Sequence, residues 1–259
     1  MSRRPGRATV ATLAAGLALL VGGCGDDEAE GADRPRLTVS AATSLTNAFE
    51  EYGERFEPAT ARFNFAGSDE LAAQIRQGVK PDVYAAANLK LPDQLFEAGL
   101  VEKPIKFAGN RLVIAVPRNS EEIAGLDDLA KPGLKLAIGA EGVPVGDYAR
   151  EVIGRLPEAG GRAVLANVRS EEPDVGGVVG KLTQGAADAG LLYITDVTAA
   201  KDDVRAIELP GELQPSVEYG VAVVKEAKEP EAARRFIDGL LEGAGRQALG
   251  RAGFEPPPG

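Results

Sequence analysis

Two short stretches of this chain combine the residue types that bind an oxyanion without a charged side chain. After the apolar run Leu37–Ala41 comes Ala42-Thr43-Ser44, with a helix expected from about Leu45. After Arg62–Phe65 comes Ala66-Gly67-Ser68, with a helix expected from about Asp69. Each junction is a strand end, a turn of small residues and a Ser at the expected N-cap. The first turn of a helix carries N–H groups without partners inside the helix, and a partial positive charge. Small residues let a ligand approach those groups, and the hydroxyl adds a donor. Ser is also a favoured N-cap in its own right, contributing ~1 kcal/mol, so either junction alone is compatible with plain capping. Later junctions repeat the pattern. Gly142-Val143-Pro144-Val145-Gly146-Asp147 and Glu172-Pro173-Asp174-Val175-Gly176-Gly177 each precede helical spacing, and Leu191-Leu192-Tyr193 ends a strand on a phenol.

Other chemistries are removed by composition. The 259 residues contain no His and one Cys. That excludes an imidazole base, a Ser-His-Asp triad and a His metal site. It also excludes an intramolecular disulfide and a thiolate zinc site. The net charge of −10 argues against nucleic acid, whose phosphates need clustered Lys and Arg. The Gly pairs do not form GxGxxG after a strand, and no GxxxxGK[ST] occurs, so nucleotide binding has no support. Adjacent acids such as Asp127-Asp128 or Glu171-Glu172 could in principle do acid–base work, but a solvated charge run accounts for them.

Alternating elements must position the junctions. Apolar strand-like runs occur at Leu37–Ala41, Arg62–Phe65, Val83–Ala87, Leu112–Val116, Leu134–Ile138, Val164–Val168, Leu191–Ile194, Val204–Leu209 and Tyr219–Val224. Helical spacing falls between most of them: Leu45, Ala48, Phe49, Tyr52 and Phe56; Leu71, Ile75 and Val79; Tyr148, Val152 and Leu156; Val175, Val178, Val179 and Leu182; and Ala233, Phe236, Ile237, Leu240 and Leu241. Strands alternating with helices indicate parallel α/β sheets. Nine strands in the body of the chain fit two α/β lobes better than one.

The N-terminus reads as an address. Arg3, Arg4 and Arg7 precede an apolar run over Ala8–Val21, too short for a permanent bilayer span, which needs roughly 20 residues. The run ends Val21-Gly22-Gly23-Cys24, which resembles a bacterial lipobox with Cys24 as the lipidated first residue of the mature chain. Residues 1–23 are read as a signal peptide. Arg3-Arg4 hints at twin-arginine export, although Pro5-Gly6 fits that poorly. Residues 24–35 are read as lipidated Cys plus acidic tether, with Asp26, Asp27, Glu28, Glu30 and Asp33. Residues 1–23 hold three Arg and no acid, so their removal leaves −13.

The ordered motifs carry a family resemblance. Val39-Ser40-Ala41-Ala42-Thr43-Ser44-Leu45-Thr46-Asn47-Ala48-Phe49 resembles the opening of the molybdate-binding proteins of bacterial ABC importers. The likeness continues through Phe65–Ile75, Pro81–Ala87, Asn110–Ile114, Val143–Ala149, Glu172–Val175, Gly190–Tyr193 and Glu218–Val224, and covers about residues 36–255. The resemblance implies a type II periplasmic-binding-protein fold, α/β with two lobes and a ligand cleft between them. Lobe one is expected over 36–114 and 217–259, and lobe two over 115–216. The ligand implied is molybdate, with tungstate indistinguishable in shape and charge, held by neutral hydrogen bonds. The implied donors are Ser44 and Ser68 through hydroxyl and backbone N–H, the backbone N–H of Val145 and Val175, and the Tyr193 hydroxyl. No catalysis, cofactor or metal beyond the oxyanion itself is implied. The implied partners are an ABC permease and its ATPase, with a monomer lipid-anchored outside the cytoplasm. Asp69 departs from the family pattern by placing a charge beside the site unless it faces solvent. Thr43 and Val145 replace what is usually Ala.

Three other readings stay open at this point. One is the same fold serving sulfate, phosphate or another oxyanion. Another gathers Asp69, Asp147 and Asp174 around a six-coordinate metal. The last is a secreted lipoprotein that acts as an enzyme or as a purely structural element.

Overall fold

The computed structural model describes residues 34–257. The expected signal peptide, Cys24 and most of the tether lie outside them. β1 (Arg36–Ala42) leads through one 3-10 turn (Thr43–Leu45) into α1 (Thr46–Glu54). β2 (Thr60–Ala66) leads into α2 (Ser68–Arg76), β3 (Val83–Ala86) into α3 (Lys90–Glu97), and β4 (Ile105–Asn110) follows. Next come β5 (Leu112–Pro117), β6 (Leu136–Gly139), α4 (Pro144–Gly154) and α5 (Glu158–Ala166). They precede β7 (Val168–Glu172), α6 (Val175–Thr183), β8 (Ala189–Tyr193), α7 (Ile194–Ala199) and β9 (Val204–Glu208). β10 (Val217–Val223), α8 (Pro230–Glu242) and α9 (Ala244–Arg251) complete the chain.

These strands form two five-stranded sheets, ordered β2-β1-β3-β10-β4 and β7-β6-β8-β5-β9. Each sheet with its helices is one lobe. β1 pairs in parallel with β2 and β3, and β6 with β7 and β8. β10 runs antiparallel to β3 and β4, and β5 antiparallel to β8 and β9. The sheets are therefore mixed rather than purely parallel. The reason is the connection: β4 continues into β5, and β9 returns to β10, without a helical crossover to reset direction. The passage between lobes falls at Arg111, so residues 112–114, expected in lobe one, pair in the sheet of lobe two. Near its C-terminal end the chain returns to this passage: Gly109 and Glu255 exchange backbone bonds of 2.8 and 3.0 Å.

α1 shows how the spacing becomes packing. Ala48, Phe49 and Tyr52 are buried, and Phe49 meets Phe236 of α8 edge-on at 5.5 Å between centroids. Burying such a side chain contributes roughly 1.5–3 kcal/mol, which ties α1 to α8 across the sequence. Three expectations fail. Val164–Val168 is not a strand: α5 occupies Glu158–Ala166, and β7 starts only at Val168. The β-branched residues there mimic a strand, but Val164 fills an apolar helical face instead. Val79 lies past the end of α2 and is 49% exposed, so it does not belong to the apolar stripe. β4 was not anticipated, because Lys106 and Gly109 interrupt its apolar pattern.

Candidate functional site

The junctions singled out in the sequence converge. Ser44, Ser68, Val145, Val175 and Tyr193 line one small cavity of about 20 Å³. Lobe one contributes the ends of β1 and β2 and the helix starts that follow. Lobe two contributes the first turns of α4 and α6 and the end of β8. Val145 and Val175 stand in those first turns, where N–H groups lack intrahelical partners. A wider cleft of about 570 Å³ adjoins, with Asn47, Glu51, Asp196 and Arg251 in its walls. The small cavity is the better candidate because the helix starts and the phenol converge only there.

Neither serine is the cap the sequence suggested. Ser44 lies inside the 3-10 turn, whose N-cap is Ala42, and Ser68 is the first residue of α2, whose N-cap is Gly67. Their hydroxyls are thus not spent on their own helices. Ser68 is 2% exposed. Its Oγ accepts from Ala87 N at 3.1 Å, and its carbonyl accepts from Tyr84 Oη at 2.7 Å. Ser44 Oγ lies 2.9 Å from Tyr219 Oη. Tyr193 is 1% exposed, and its Oη has no hydrogen-bond partner among the described residues. A buried hydroxyl without a partner costs about 1–3 kcal/mol. Burial also pushes its ionisation well above the ordinary phenol value, so the group stays a neutral donor.

Two acids near the site, Asp174 and Asp147, have structural partners. Asp174 caps α6 by accepting from Gly177 N at 2.9 Å, and accepts from Thr43 Oγ1 of the opposite lobe at 3.2 Å. Asp147 accepts from Gly142 N at 2.8 Å and pairs with Lys90 of lobe one at 3.6 Å. Among the described residues no group of three or more acids or thiols is placed to hold a metal ion, so Asp69, Asp147 and Asp174 do not assemble the six-coordinate alternative. Asp69 is half-buried rather than fully turned to solvent. Its Oδ1 is buried without a partner, and burial, more than any neighbouring charge, raises its carboxyl above the usual range.

Glycines set how closely the elements meet. A Cβ on Gly67 would stand 2.5 Å from the Pro173 carbonyl oxygen, so the two lobes touch at this residue. A Cβ on Gly146 would stand 2.2 Å from the Ala140 oxygen and 2.3 Å from the Gly139 oxygen. Only glycine allows α4 to start so close to the end of β6.

The model for bacterial extracellular solute-binding proteins matches residues 37–255. The chain belongs to that family. Among individual relatives of this solute-binding protein, the molybdate-binding protein ModA of Mycobacterium bovis is 36% identical over 227 residues, covering 85% of each chain. The substrate-binding domain of a putative molybdenum ABC transporter from Clostridium difficile is 28% identical, with a TM-score of 0.64 over 85% of this chain and 98% of its own. The Azotobacter vinelandii periplasmic molybdate-binding protein shares the fold, with a TM-score of 0.77 at 19% identity over 86% of this chain and 100% of its own.

Three further residues at the site escaped the sequence reading: Tyr219, Asn110 and Asp196. Asn110 Nδ2 donates to Thr195 Oγ1 at 2.9 Å and to Tyr219 Oη at 3.4 Å. Asp196 Oδ2 accepts from Tyr193 N at 3.2 Å. Burial pushes the Asp196 carboxyl up to about 7, and the charge of Asp174 adds to this. Asp196 acts locally, as a first-turn acid on the N-cap residue Tyr193, whereas Asn110 and Tyr219 act on residues 85–175 positions away that only the fold brings near.

Proposed function

We propose that this solute-binding protein captures molybdate, and tungstate with it, and delivers it to an ABC permease and its ATPase. The observation that carries the reading is the buried, unpartnered Tyr193 hydroxyl in a cavity where the first turns of α4 and α6 meet two serine hydroxyls. A buried dianion is expensive unless fixed donors surround it. This cavity supplies donors without a cation: Ser44, Ser68, Tyr193 and the N–H groups of Val145 and Val175. The 36% identical relative named for molybdate supports that oxyanion over sulfate. Thr43 with Asp174 and Lys90 with Asp147 span the lobes, which gives closure a means of enclosing the ligand. No helix among the described residues is long and apolar enough to cross a membrane. Resting on the N-terminal sequence and the family resemblance, the reading includes export by residues 1–23, a lipid anchor at Cys24 and a monomer working outside the cytoplasm, with no cofactor and no catalysis.

The test is a thermal-shift and calorimetry panel with molybdate, tungstate, sulfate, phosphate and amino acids. Ligand at 100 times its Kd stabilises by about 2.7 kcal/mol. A strong shift with molybdate and tungstate but not sulfate is expected. A shift with sulfate or an organic solute alone would keep the fold and sink the ligand.

A further inference from the structure

The two serines receive their orienting hydrogen bonds from different distances. Ser68 Oγ accepts a hydrogen bond from a backbone group, Ala87 N–H. That donor cannot reverse, so the Ser68 proton is left free to point elsewhere. Ser44 has no such backbone donor, and its neighbour is the Tyr219 hydroxyl, which could donate or accept. The choice is made further back. Arg111 N donates to Asn110 Oδ1 at 2.9 Å. This backbone bond fixes which end of the Asn110 amide is oxygen, so Nδ2 faces Tyr219 and Thr195 as a donor. Tyr219 Oη receives that N–H, and its own proton is then directed to Ser44 Oγ. Each step passes the donor role onward, and a chain of this kind strengthens its members. Asn110 is 5% and Tyr219 0% exposed, so water does not compete for these positions. Burial also holds the Tyr219 phenol far above its ordinary range, so it retains the proton it donates.

We propose that Asn110 and Tyr219 are positioning residues that set the direction of the Ser44 hydroxyl, committing its proton to the ligand and biasing the site against protonated oxyanions. The inference rests on the oxyanion reading above. A fully deprotonated oxyanion offers acceptors alone, so it gains from a serine locked as donor. Hydrogen phosphate carries a proton of its own and needs an acceptor, which an oriented Ser44 does not turn towards it. The chain of bonds starts at Asn110, beside the passage between the lobes at Arg111.

The experiment is a double-mutant cycle of Tyr219→Phe and Ser44→Ala, read by titration calorimetry with molybdate and by competition with hydrogen phosphate. In the unsubstituted background, Tyr219→Phe is expected to weaken molybdate about tenfold, because Ser44 is no longer held as a donor to the charged ligand. In the Ser44→Ala background the same change is expected to cost less than about twofold, because its target is gone. Competition by hydrogen phosphate should strengthen in Tyr219→Phe, which a merely structural defect would not produce. Asn110→Ala in the same cycle carries the test one step further back, and by itself should Tyr219→Phe not fold. Equal losses in both backgrounds, or no loss at all, overturn the inference while leaving the oxyanion reading intact. Failure of the unsubstituted protein to bind any oxyanion overturns both.

Discussion

The two lobes contribute to one cavity by different means. Lobe one supplies hydroxyls, Ser44 and Ser68, each held by another group: Tyr219 or Ala87 N. Lobe two supplies chiefly backbone, the first turns of α4 and α6, where Val145 and Val175 stand. Donors of the first kind are deleted by one substitution. Donors of the second kind survive side-chain change and fail only when the helix is displaced. Affinity should therefore be vulnerable at side chains in lobe one, and at packing in lobe two.

The strongest challenge to this contrast is Gly146→Ala. The new methyl meets fixed carbonyl oxygens at 2.2 and 2.3 Å, so α4 must move. The expected cost is about 3 kcal/mol of stability in urea unfolding, with molybdate affinity falling as well. Retained affinity would show that the position of α4 does not matter to the ligand. The next contrast pairs Ser68→Ala with Val145→Ala. Ser68→Ala is expected to weaken molybdate by about 10- to 100-fold, from one charge-assisted bond. Val145→Ala is expected to cost about 2 kcal/mol of stability through its buried side chain while changing Kd less than about twofold. The reverse pattern in calorimetry would assign the Val145 side chain a direct role.

The remaining contrast concerns pH, through lobe two. Asp196 titrates at about 7 in the folded protein, against about 4 for an ordinary Asp. The folded chain thus binds more protons than the unfolded chain between these values. Its contribution to stability is complete below about 4 and is lost as pH rises through about 7. Thermal midpoints at pH 5 and 8 should differ less in Asp196→Asn than in the unsubstituted protein. Parallel shifts in both would remove Asp196 as the cause.

What the sequence made legible was local. Ser44, Ser68, Val145, Val175 and Tyr193 stand at strand ends or helix starts, and short motifs mark such places. The α/β alternation was equally visible, because most strands and helices bury one periodic face. The purely parallel sheet was misread, since the direction of β10 depends on where the chain re-enters the lobe rather than on its own residues. Val164 misled because a β-branched residue in a short apolar run satisfies either element. The link from Asn110 through Tyr219 to Ser44 spans 109 and 175 positions in its last two steps, a separation that no local pattern can report. Whether Asp69 faces solvent was left open by its sequence, because the approach of the opposite lobe at Pro173, which encloses that corner, has no local signal.

The order of strands in the first sheet has a consequence for the route by which the chain folds. β10 lies between β3 and β4, although it is the last strand of the chain. β4 has no neighbour in its sheet until Val217–Val223 has been made. All five strands of the other sheet come from the unbroken stretch Leu112–Glu208. During N-to-C emergence, the later-starting half is therefore the first that can complete its hydrogen-bonded array. The half that begins the chain must keep an open strand edge at β3 from the completion of Ala86 until Val217–Val223 has been made. Exposed edges of that kind invite wrong pairing, so slowing the delivery of β10 should raise aggregation far more than slowing any step inside the inserted half.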